Sequence, residues 1–472
     1  MRTPSYIGFT ILLVFTSCKM KTSLEVKSKT VHLITLDPGH FHAALVQKIM
    51  YDDVDSVVHV YAPPGPDLQL HLERIKGYNT RADQPTHWNE EVYAGKDFFE
   101  KMIEEKKGNV VVLAGNNQKK TEYILKSLEA GFNVLADKPM AINKEGFEIL
   151  KKAFETAKSK NLLLYDIMTE RFEITTILQR ELSMMPEVFG DLEKGTVENP
   201  AVVMESGHCF YKNVSGNIVI RPAWFIDASQ QGEGIVDVTT HLVDLVQWEC
   251  FPGQSLDYTK DITVLNANKW ATDMNLSQFK TITKMDSIPF FLKRNVVNDT
   301  TLQVYSNGVF NYQIKGVNAE VTVRWDYQTP SGIDTHFSWI EGTKATLYIV
   351  QGPDQQYKPT LYAELRNDNP DTEKALMDQI KKLQLKYPGI EVKKERKKFD
   401  HGIIDLEKLS IYRYEVIIPD KYKEGHEAHF ARVTENFLEY LKNKNIPEWE
   451  VPNMLAKYFV TTKALEIATS KK

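Results

Sequence analysis

The sequence predicts an α/β protein in which an N-terminal doubly wound parallel sheet is followed by an α+β domain with an open, mostly antiparallel sheet. Residues 31–170 alternate short apolar runs with amphipathic helical segments, a pattern typical of a parallel sheet covered on both faces. Beyond residue 171, strictly alternating runs such as AEVTVRWDY (319–327) indicate half-buried antiparallel strands. With 472 residues, the chain is also too long for one compact core, so we expect at least two domains.

Composition excludes several classes of protein. The chain is 42% hydrophobic and 26% charged, with a formal net charge of −5, so nothing favours nucleic acid or a membrane surface as a partner. The three cysteines, Cys18, Cys209 and Cys250, form neither a disulfide framework nor a metal-ligand spacing. We therefore expect an ordinary globular protein without a zinc or iron–sulfur centre.

The N-terminus carries an export signal. Residues 7–15, IGFTILLVF, are too short to cross a bilayer, which takes about 20 apolar residues, and have the length of a signal peptide. The run ends as VFTSC, which resembles the lipobox of bacterial lipoproteins, so Cys18 is the predicted lipidation site. We expect a signal peptide over 1–18, a polar tether over 19–30, and an exported lipoprotein held on the periplasmic side of a membrane by its lipid alone. A plain secretory signal or a chance apolar start are the alternatives.

The first predicted domain, residues 31–170, has the organisation of a Rossmann-type fold. Helical segments separate its strand candidates, and Gly131 is a natural end for the helix TEYILKSLEAG. The third and fourth strands end in Asn116–Asn117 and in Asp137–Lys138, and ligands of open α/β sheets bind at such carboxyl ends. The strand candidates are VHLITL (31–36), SVVHVYA (56–62), NVVVLAG (109–115), FNVLADKPM (132–140) and LLLYDIM (162–168).

The segment GEGIVDVTTHLVDLVQW (232–248) predicts a helix that carries polar groups on one face. Asp237, His241 and Asp244 stand at i, i+4 and i+7, and apolar residues between them would hold the helix against a core. A histidine one turn from a carboxylate is suited to general acid–base chemistry near neutral pH. The alternative is a partly buried helix in which His241 is a hydrogen-bonded structural group.

Two of these motifs together resemble the Gfo/Idh/MocA family of NAD(P)-dependent, mostly sugar-acting oxidoreductases. The order is LEAGFNVLADKPMA, then YDIMTERF, then GEGIVDVTTHLVDLVQW. In that family a Glu-Lys-Pro motif ends a strand of the Rossmann domain, and an Asp-x-x-x-His pair lies on a helix of the next domain. Asp137-Lys138-Pro139 and the Asp237/His241 pair match these motifs in the right order.

The resemblance, which covers about residues 31–350, implies NAD or NADP as cofactor and hydride transfer to or from a sugar carbon. The catalytic residues it implies are Lys138, Asp237 and His241. His241 would remove or return the hydroxyl proton, Asp237 would orient His241 or bind a neighbouring hydroxyl, and Lys138 would lie between cofactor and substrate.

The dinucleotide loop departs from the usual pattern. A GxGxxG sequence normally lets backbone approach the pyrophosphate, whereas DPGHFHAAL offers only Gly39. The acidic residue expected after the second strand is also displaced, to Asp67. His40 or His42 could bind a phosphate or the substrate, and packing at a helix N-terminus is the alternative for both. We nevertheless expect the cofactor to bind, through Gly39, His40, Asn116, Asn117, Asp137 and Lys138.

The second predicted domain, residues 171–355, would hold the substrate. Its strand candidates include 201–211 and 261–267, and 335–352 reads as a hairpin around Gly342. The resemblance implies that its open sheet forms the interface of a homo-oligomer. Arginine donors and aromatic faces suit a sugar, although each such residue has a structural alternative. The candidates for substrate binding are Arg171, His208, Tyr211 and Trp224.

The C-terminal third is less informative. Residues 356–425 contain a helix, TEKALMDQIKKLQLKY, and a charged run, VKKERKKFD, that is typical of a solvated face or an edge strand. The sequence predicts no role for this insertion. Residues 426–472 are amphipathic and are expected to pack on the core as helices. His426 and His429 lack a third ligand in the sequence, so we expect no metal site there.

Location constrains the chemistry. An exported protein has no cytosolic NAD pool to draw on, so we expect NAD(P) to be held tightly and to be reduced and reoxidised within one cycle. Oxidation of a carbohydrate coupled to reduction of another fits this, and so does glycoside cleavage through a keto sugar. A third alternative is a non-catalytic sugar-binding lipoprotein on a dehydrogenase scaffold.

Overall fold

The computed structural model describes residues 30–214, 217–329, 331–396 and 411–470. The predicted signal peptide, the lipidation site Cys18 and nearly all of the tether lie outside the described residues. Among the helices within these ranges, none combines the length and the apolar character needed to cross a membrane.

The first domain is built on a six-stranded parallel sheet with the order β3-β2-β1-β4-β5-β6, which confirms the predicted doubly wound fold. The order reverses between β1 and β4, and ligands of such folds bind where it does so. Strand β3 was missed because it lies at the edge and its side chains are mostly polar and exposed. The strands are β1 (Leu33–Leu36), β2 (Val57–Ala62), β3 (Asn89–Ala94), β4 (Val110–Leu113), β5 (Asn133–Asp137) and β6 (Leu164–Ile167).

Five helices cover this sheet. The first has only four residues, because the backbone after it closes i→i−3 bonds, Gln47 N to Ala44 O and Lys48 N to Leu45 O, which are tighter turns than those of an α-helix. The predicted end at Gly131 is confirmed by its φ of +97°. The helices are α1 (His42–Leu45), α2 (Pro66–Thr80), α3 (Phe98–Glu105), α4 (Lys120–Glu129) and α5 (Lys144–Lys160).

The second domain is dominated by a ten-stranded sheet with the order β10-β12-β13-β7-β14-β15-β16-β18-β17, to which β11 adds a short pair with β12. Pairing is antiparallel except between β13 and β7. A small separate ribbon pairs β8 with β9. The strands are β7 (Val202–Cys209), β8 (Asn213–Val214), β9 (Asn217–Ile218), β10 (Ile262–Asn275), β11 (Val296–Val297), β12 (Thr301–Ile314), β13 (Val317–Asp326), β14 (Thr335–Glu341), β15 (Ala345–Gln351), β16 (Thr360–Leu365), β17 (Glu391–Arg396) and β18 (Tyr412–Ile417).

The segment that the sequence left without a role extends this sheet. Strands β16, β18 and β17 all come from residues 356–425, and β17, which contains the start of the charged run, is the outermost strand. This agrees with the edge-strand interpretation, since alternate exposed Lys and Glu side chains discourage pairing with other chains.

The last two helices lie against the cores of the domains. Helix α11 packs on the core of the first domain through Phe430, Val433 and Phe437, and α12 contributes to both cores. Helix α12 therefore links the two domains. The remaining helices of the chain, with these two, are α6 (Ile174–Ser183), α7 (Ala228–Gln231), α8 (Thr239–Cys250), α9 (Leu276–Thr283), α10 (Pro370–Lys386), α11 (His426–Asn443) and α12 (Glu450–Ser470).

A buried charge network fixes how β6, α8 and α12 meet. Lys457 of α12 is fully buried, and its Nζ lies 2.7 Å from Asp166 Oδ2 and 2.8 Å from Asp244 Oδ1. Arg171 donates two bonds of 2.6 Å to Asp244 and one of 2.9 Å to Glu450. Each charge has partners, so no isolated charge is left in the junction.

Replacing Lys457 with methionine is expected to destabilise the protein by about 3–5 kcal/mol, because it leaves buried carboxylates with one cation fewer. The matched change Lys463→Met removes an exposed lysine of the same helix, paired with Glu466 at 3.2 Å, and is expected to cost less than about 0.5 kcal/mol. Urea unfolding followed by circular dichroism measures both. Equal losses in the two variants would show that the network does not hold the junction.

Candidate active site

An ion pair joins the two domains at the carboxyl edge of the parallel sheet. Lys138 directly follows β5, and Asp237 lies in the turn before α8, not in the helix as predicted. Lys138 Nζ lies 2.6 Å from Asp237 Oδ1, and the two side chains are 12% and 7% exposed. The pair brings together two of the three predicted catalytic residues.

The surroundings keep this pair ionised. Burial lowers the pKa of Lys138, but the carboxylates of Asp237 and Asp137 more than offset it and leave that pKa above its ordinary value. Burial likewise raises the pKa of Asp237, and the charge and hydrogen bond of Lys138 outweigh it, so the pKa ends below normal. Gln231 Nε2 donates to the second carboxylate oxygen of Asp237 at 3.0 Å.

His241, in the first turn of α8, is the third predicted catalytic residue. Burial and the charge of Lys138 lower its pKa to about 4, so the imidazole is neutral at pH 7. Its Nδ1 is buried and finds no hydrogen-bond partner among the described residues. Because Asp237 binds Lys138 and Gln231, it does not supply the orienting hydrogen bond that the sequence suggested. His241 is thus a neutral base with an open lone pair or N–H.

Asp244, the third polar residue of the predicted stripe, does not face this site. It lies in the buried network with Arg171 and Lys457. The predicted role of Arg171 in binding the substrate is also corrected, because all three of its guanidinium nitrogens already donate to Asp244 and Glu450. Both side chains hold the junction of the domains together.

The predicted cofactor residues Gly39 and Asn116–Asn117 lie where the loop after β1 meets the end of β4. The two backbones approach so closely that a Cβ on Gly115 would stand 2.1 Å from the carbonyl oxygen of Asp37. A cavity of about 170 Å³, lined by Asp37, Pro38 and residues 62–68, opens beside this loop. Burial and the nearby Asp67 raise the pKa of Asp37 to about 6.

Residues 223–231 of the second domain, here called the cover segment, bind this edge. Asn116 Nδ2 donates to Gln230 Oε1 at 2.7 Å, and Asn117 donates to the backbone oxygens of Gln230 and Gln231 at 2.9 and 2.7 Å. Trp224 Nε1 donates to Asp67 Oδ2 at 2.8 Å. Trp224, a predicted substrate residue, is therefore placed over the cofactor loop.

Two polar atoms at this edge are available to a ligand. Asn117 Oδ1 and His241 Nδ1 are both buried, and neither has a hydrogen-bond partner in the described parts of the chain. A bound group or an ordered water can satisfy such atoms. The carboxamide and ribose hydroxyls of a nicotinamide nucleotide are hydrogen-bonding groups of the required kind, so the residues present fit that cofactor.

The remaining cofactor candidates form a compact cluster. Asp137 Oδ2 lies 2.8 Å from His42 Nδ1 and 3.9 Å from His40 Nδ1. Burial lowers the pKa of both imidazoles well below their ordinary value. Sequence reasoning left His42 between a phosphate- or substrate-binding role and a packing role, and the structure places it against the carboxylate at the end of β5.

Of the other predicted substrate residues, His208 lies in β7 and Tyr211 lies just beyond the end of that strand. His208 Nδ1 lies 3.0 Å from Asp334 Oδ2 and its Nε2 2.8 Å from Ser206 Oγ, while its ring stacks on Trp325 at 4.9 Å. Tyr211 packs near Tyr327, with ring centroids 6.1 Å apart.

Sequence reasoning missed Glu170 and His336, and it considered His426 only as a metal ligand. Glu170 follows β6 in the 3₁₀ turn Glu170–Phe172, and His426 Nδ1 lies 3.6 Å from its Oε1. Burial raises the pKa of Glu170, but the hydrogen bond of His426 and the nearby His241 and His336 bring it well below normal. The rule that ligands bind at carboxyl ends of parallel strands would have found Glu170, since it closely follows LLLYDIM.

Comparison with known proteins agrees with this architecture. Residues 178–469 match the family model described as "Putative oxidoreductase C terminal domain", and residues 70–165 match "Oxidoreductase family, NAD-binding Rossmann fold". A crystal structure described as a "putative oxidoreductase" from Parabacteroides merdae is 54% identical, with a TM-score of 0.89 over 94% of this chain and 99% of that one. No curated protein matches the sequence.

More distant solved structures share the fold. Levoglucosan dehydrogenase in complex with NADH and levoglucosan is 12% identical, with a TM-score of 0.57 over 93% of this chain and 98% of that one. A 3-ketoreductase from Actinomadura kijaniata in complex with NADP is 13% identical, with a TM-score of 0.52 over 91% and 95% of the two chains. With its NAD-binding Rossmann domain, its oxidoreductase C-terminal domain and its close match to the Parabacteroides protein, the chain belongs to the Gfo/Idh/MocA family of oxidoreductases.

Proposed function

We propose that the protein transfers a hydride between tightly held NAD(P) and a hydroxyl-bearing carbon of a carbohydrate. The observation that carries this proposal is the neutral His241 beside the Lys138–Asp237 ion pair, at the edge where the sheet of a Rossmann domain binds its ligands. Oxidation of an alcohol needs a base, a positive charge and a hydride acceptor. His241 is the base, Lys138 carries the charge, and the NAD(P) cofactor of this family is the hydride acceptor.

His241 acts as the base. Its pKa of about 4 keeps it unprotonated over the neutral range, so it accepts the hydroxyl proton while the carbon loses its hydride, and it returns the proton in the reverse direction. When bound, the nicotinamide ring supplies the hydride acceptor or donor. Lys138 stabilises the negative charge that develops on the substrate oxygen, because Asp237 and Asp137 keep its ammonium protonated.

Asp237 is a positioning residue in this scheme. Its carboxylate holds the Lys138 Nζ at 2.6 Å and is itself held by Gln231. Asn117 and Lys138 are the residues that would bind the cofactor on this side of the cleft, and Asn117 retains a free acceptor, Oδ1, for it.

A carbohydrate is the substrate class that the surroundings favour. Glu170, His336 and His426 add hydrogen-bonding groups around His241, and closely spaced polar groups of mixed type suit a ring with several hydroxyls. Distant relatives in structure are named for sugar chemistry, among them levoglucosan dehydrogenase and a 3-ketoreductase.

The variant His241→Ala is expected to lose about 100-fold or more in the rate of sugar oxidation, since general bases contribute about 10²–10⁴. In the wild-type protein the rate should fall as the pH drops through about 4, where His241 becomes protonated and can no longer accept a proton. Steady-state rates over a panel of sugars and pH values measure both effects.

His71→Ala is the matched control for this experiment, because His71 is also buried with a pKa of about 4 but lies on α2 without a role in the site. Full activity in the His241 variant, or an acid limb centred near the ordinary histidine pKa of about 6.5, would contradict the assigned base.

Near-stoichiometric NAD(H) or NADP(H) is expected to be released when the purified protein is denatured. An exported enzyme needs a retained cofactor, and the cover segment binds the loop at which a dinucleotide would sit. Mass spectrometry of the released nucleotide gives its identity and its amount per chain. A protein that is empty and also fails to take up added NAD or NADP would contradict hydride transfer and favour a non-catalytic scaffold.

We also propose that the protein is exported and anchored by a lipid on Cys18, from the apolar run 7–15 and the VFTSC sequence that follows it. Labelled fatty acid is expected in the wild-type protein and in its membrane fraction, and to be absent from Cys18→Ala. A matched Cys250→Ala variant should label normally. Equal labelling of the wild type and the Cys18 variant would overturn the anchor.

A further inference from the structure

Three metal-ligating side chains converge beside the Lys138–Asp237 pair. His40 and His42 come from the loop and first turn after β1, and Asp137 ends β5. The Asp137 Oδ2 atom lies 2.8 Å from His42 Nδ1 and 3.9 Å from His40 Nδ1, and one donor atom from each residue lies within 4.8 Å of the other two. Nearly a hundred residues separate the carboxylate from the histidines, so no ligand spacing could be recognised along the chain.

The spacing suits a small cation. First-row divalent metals bind imidazole nitrogen and carboxylate oxygen at about 2.0–2.2 Å, which places neighbouring donors roughly 3 Å apart. The observed separations of 2.8 and 3.9 Å lie on either side of that value. All three donor atoms lie within 4.8 Å of one another, so side-chain movements of about an ångström would place them around one ion.

The donor atoms are already held in place by hydrogen bonds that an ion would replace. His40 Nδ1 accepts from the backbone N–H of His42 at 3.3 Å, and His42 Nδ1 lies 2.8 Å from Asp137 Oδ2. Binding an ion through these atoms exchanges the two hydrogen bonds for metal–nitrogen bonds. Asp137 is 4% exposed and supplies the carboxylate. Two imidazoles and one carboxylate form a donor set for zinc, iron, cobalt or manganese, and three protein ligands leave further coordination positions open.

The nearby lysines do not cancel this attraction. Lys138 is paired with Asp237 at 2.6 Å, so its charge is already balanced. Lys120 Nζ donates to the backbone carbonyl oxygen of Asp137 at 3.0 Å, which leaves the carboxylate oxygen Oδ2 of that residue to the histidines.

We propose that His40, His42 and Asp137 bind one first-row divalent cation, with zinc as the probe ion, and that its open positions can take an oxygen of the substrate. The site goes beyond hydride transfer and does not depend on it. A cation there would polarise a bound carbonyl or hydroxyl oxygen close to Lys138. Without metal, the cluster is a hydrogen-bonded His42–Asp137 pair. The experiment has to distinguish this pair from a metal site.

The test compares full-length, untagged wild-type protein with His40→Gln, His42→Gln and Asp137→Asn after chelation, equilibration with Zn²⁺ and gel filtration. Elemental analysis should find close to one zinc per wild-type chain. Each variant should bind Zn²⁺ at least about 100-fold more weakly, since losing even an outer-shell partner costs 10–100-fold. His71→Gln, which alters a buried histidine outside the cluster, should bind like the wild type.

Co²⁺ provides a readout that does not depend on the variants folding, because its visible spectrum reports nitrogen and oxygen coordination in the wild-type protein itself. A wild-type chain that retains no more zinc than the three variants, or that gives no Co²⁺ spectrum beyond that of the free ion, overturns the site. Variants that are folded by circular dichroism and bind zinc like the wild type overturn the assignment of the ligands.

The nucleotide released from the same samples separates this proposal from the proposed function. Zinc without NAD(P) supports the metal site and contradicts tight cofactor binding. NAD(P) without zinc supports tight cofactor binding and contradicts the metal site.

Discussion

The buried charges of Lys457 and Arg171 constrain the rest of the molecule. Their carboxylate partners come from strand β6, helix α8 and helix α12, which belong to different parts of the chain. A buried ion that loses its partner costs several kcal/mol, so these elements can adopt only arrangements that keep every charge paired. Helix α8 also carries His241, so the network fixes where the proposed base lies relative to the sheet.

The sequence predicted those features that depend on neighbours along the chain. Apolar runs identified the buried strands β1, β4 and β5, and strict alternation identified β13. Local spacing also found the two motifs that meet as Lys138 and Asp237. Strand β3 was missed because a polar edge strand buries too little to leave a periodic signal.

Features that depend on distant partners were not predictable. Arg171 has the composition of a sugar-binding residue, and only its contacts with Asp244 and Glu450 reveal a structural role. The partner of Asp244, Lys457, is 213 residues away. His42 was ambiguous for the same reason, since its contact with Asp137 spans 95 residues. The type of a residue indicates which chemistry its side chain can perform. Assigning that side chain to a site requires its contacts in the folded structure.

The cover segment has a kinetic consequence. It spans the gap between the domains and bonds to Asp67, Asn116 and Asn117, all on the first domain. A dinucleotide bound beneath this segment would leave only when those hydrogen bonds break, which would couple its exchange to separation of the domains. Its residence time would then be set by the frequency of that opening.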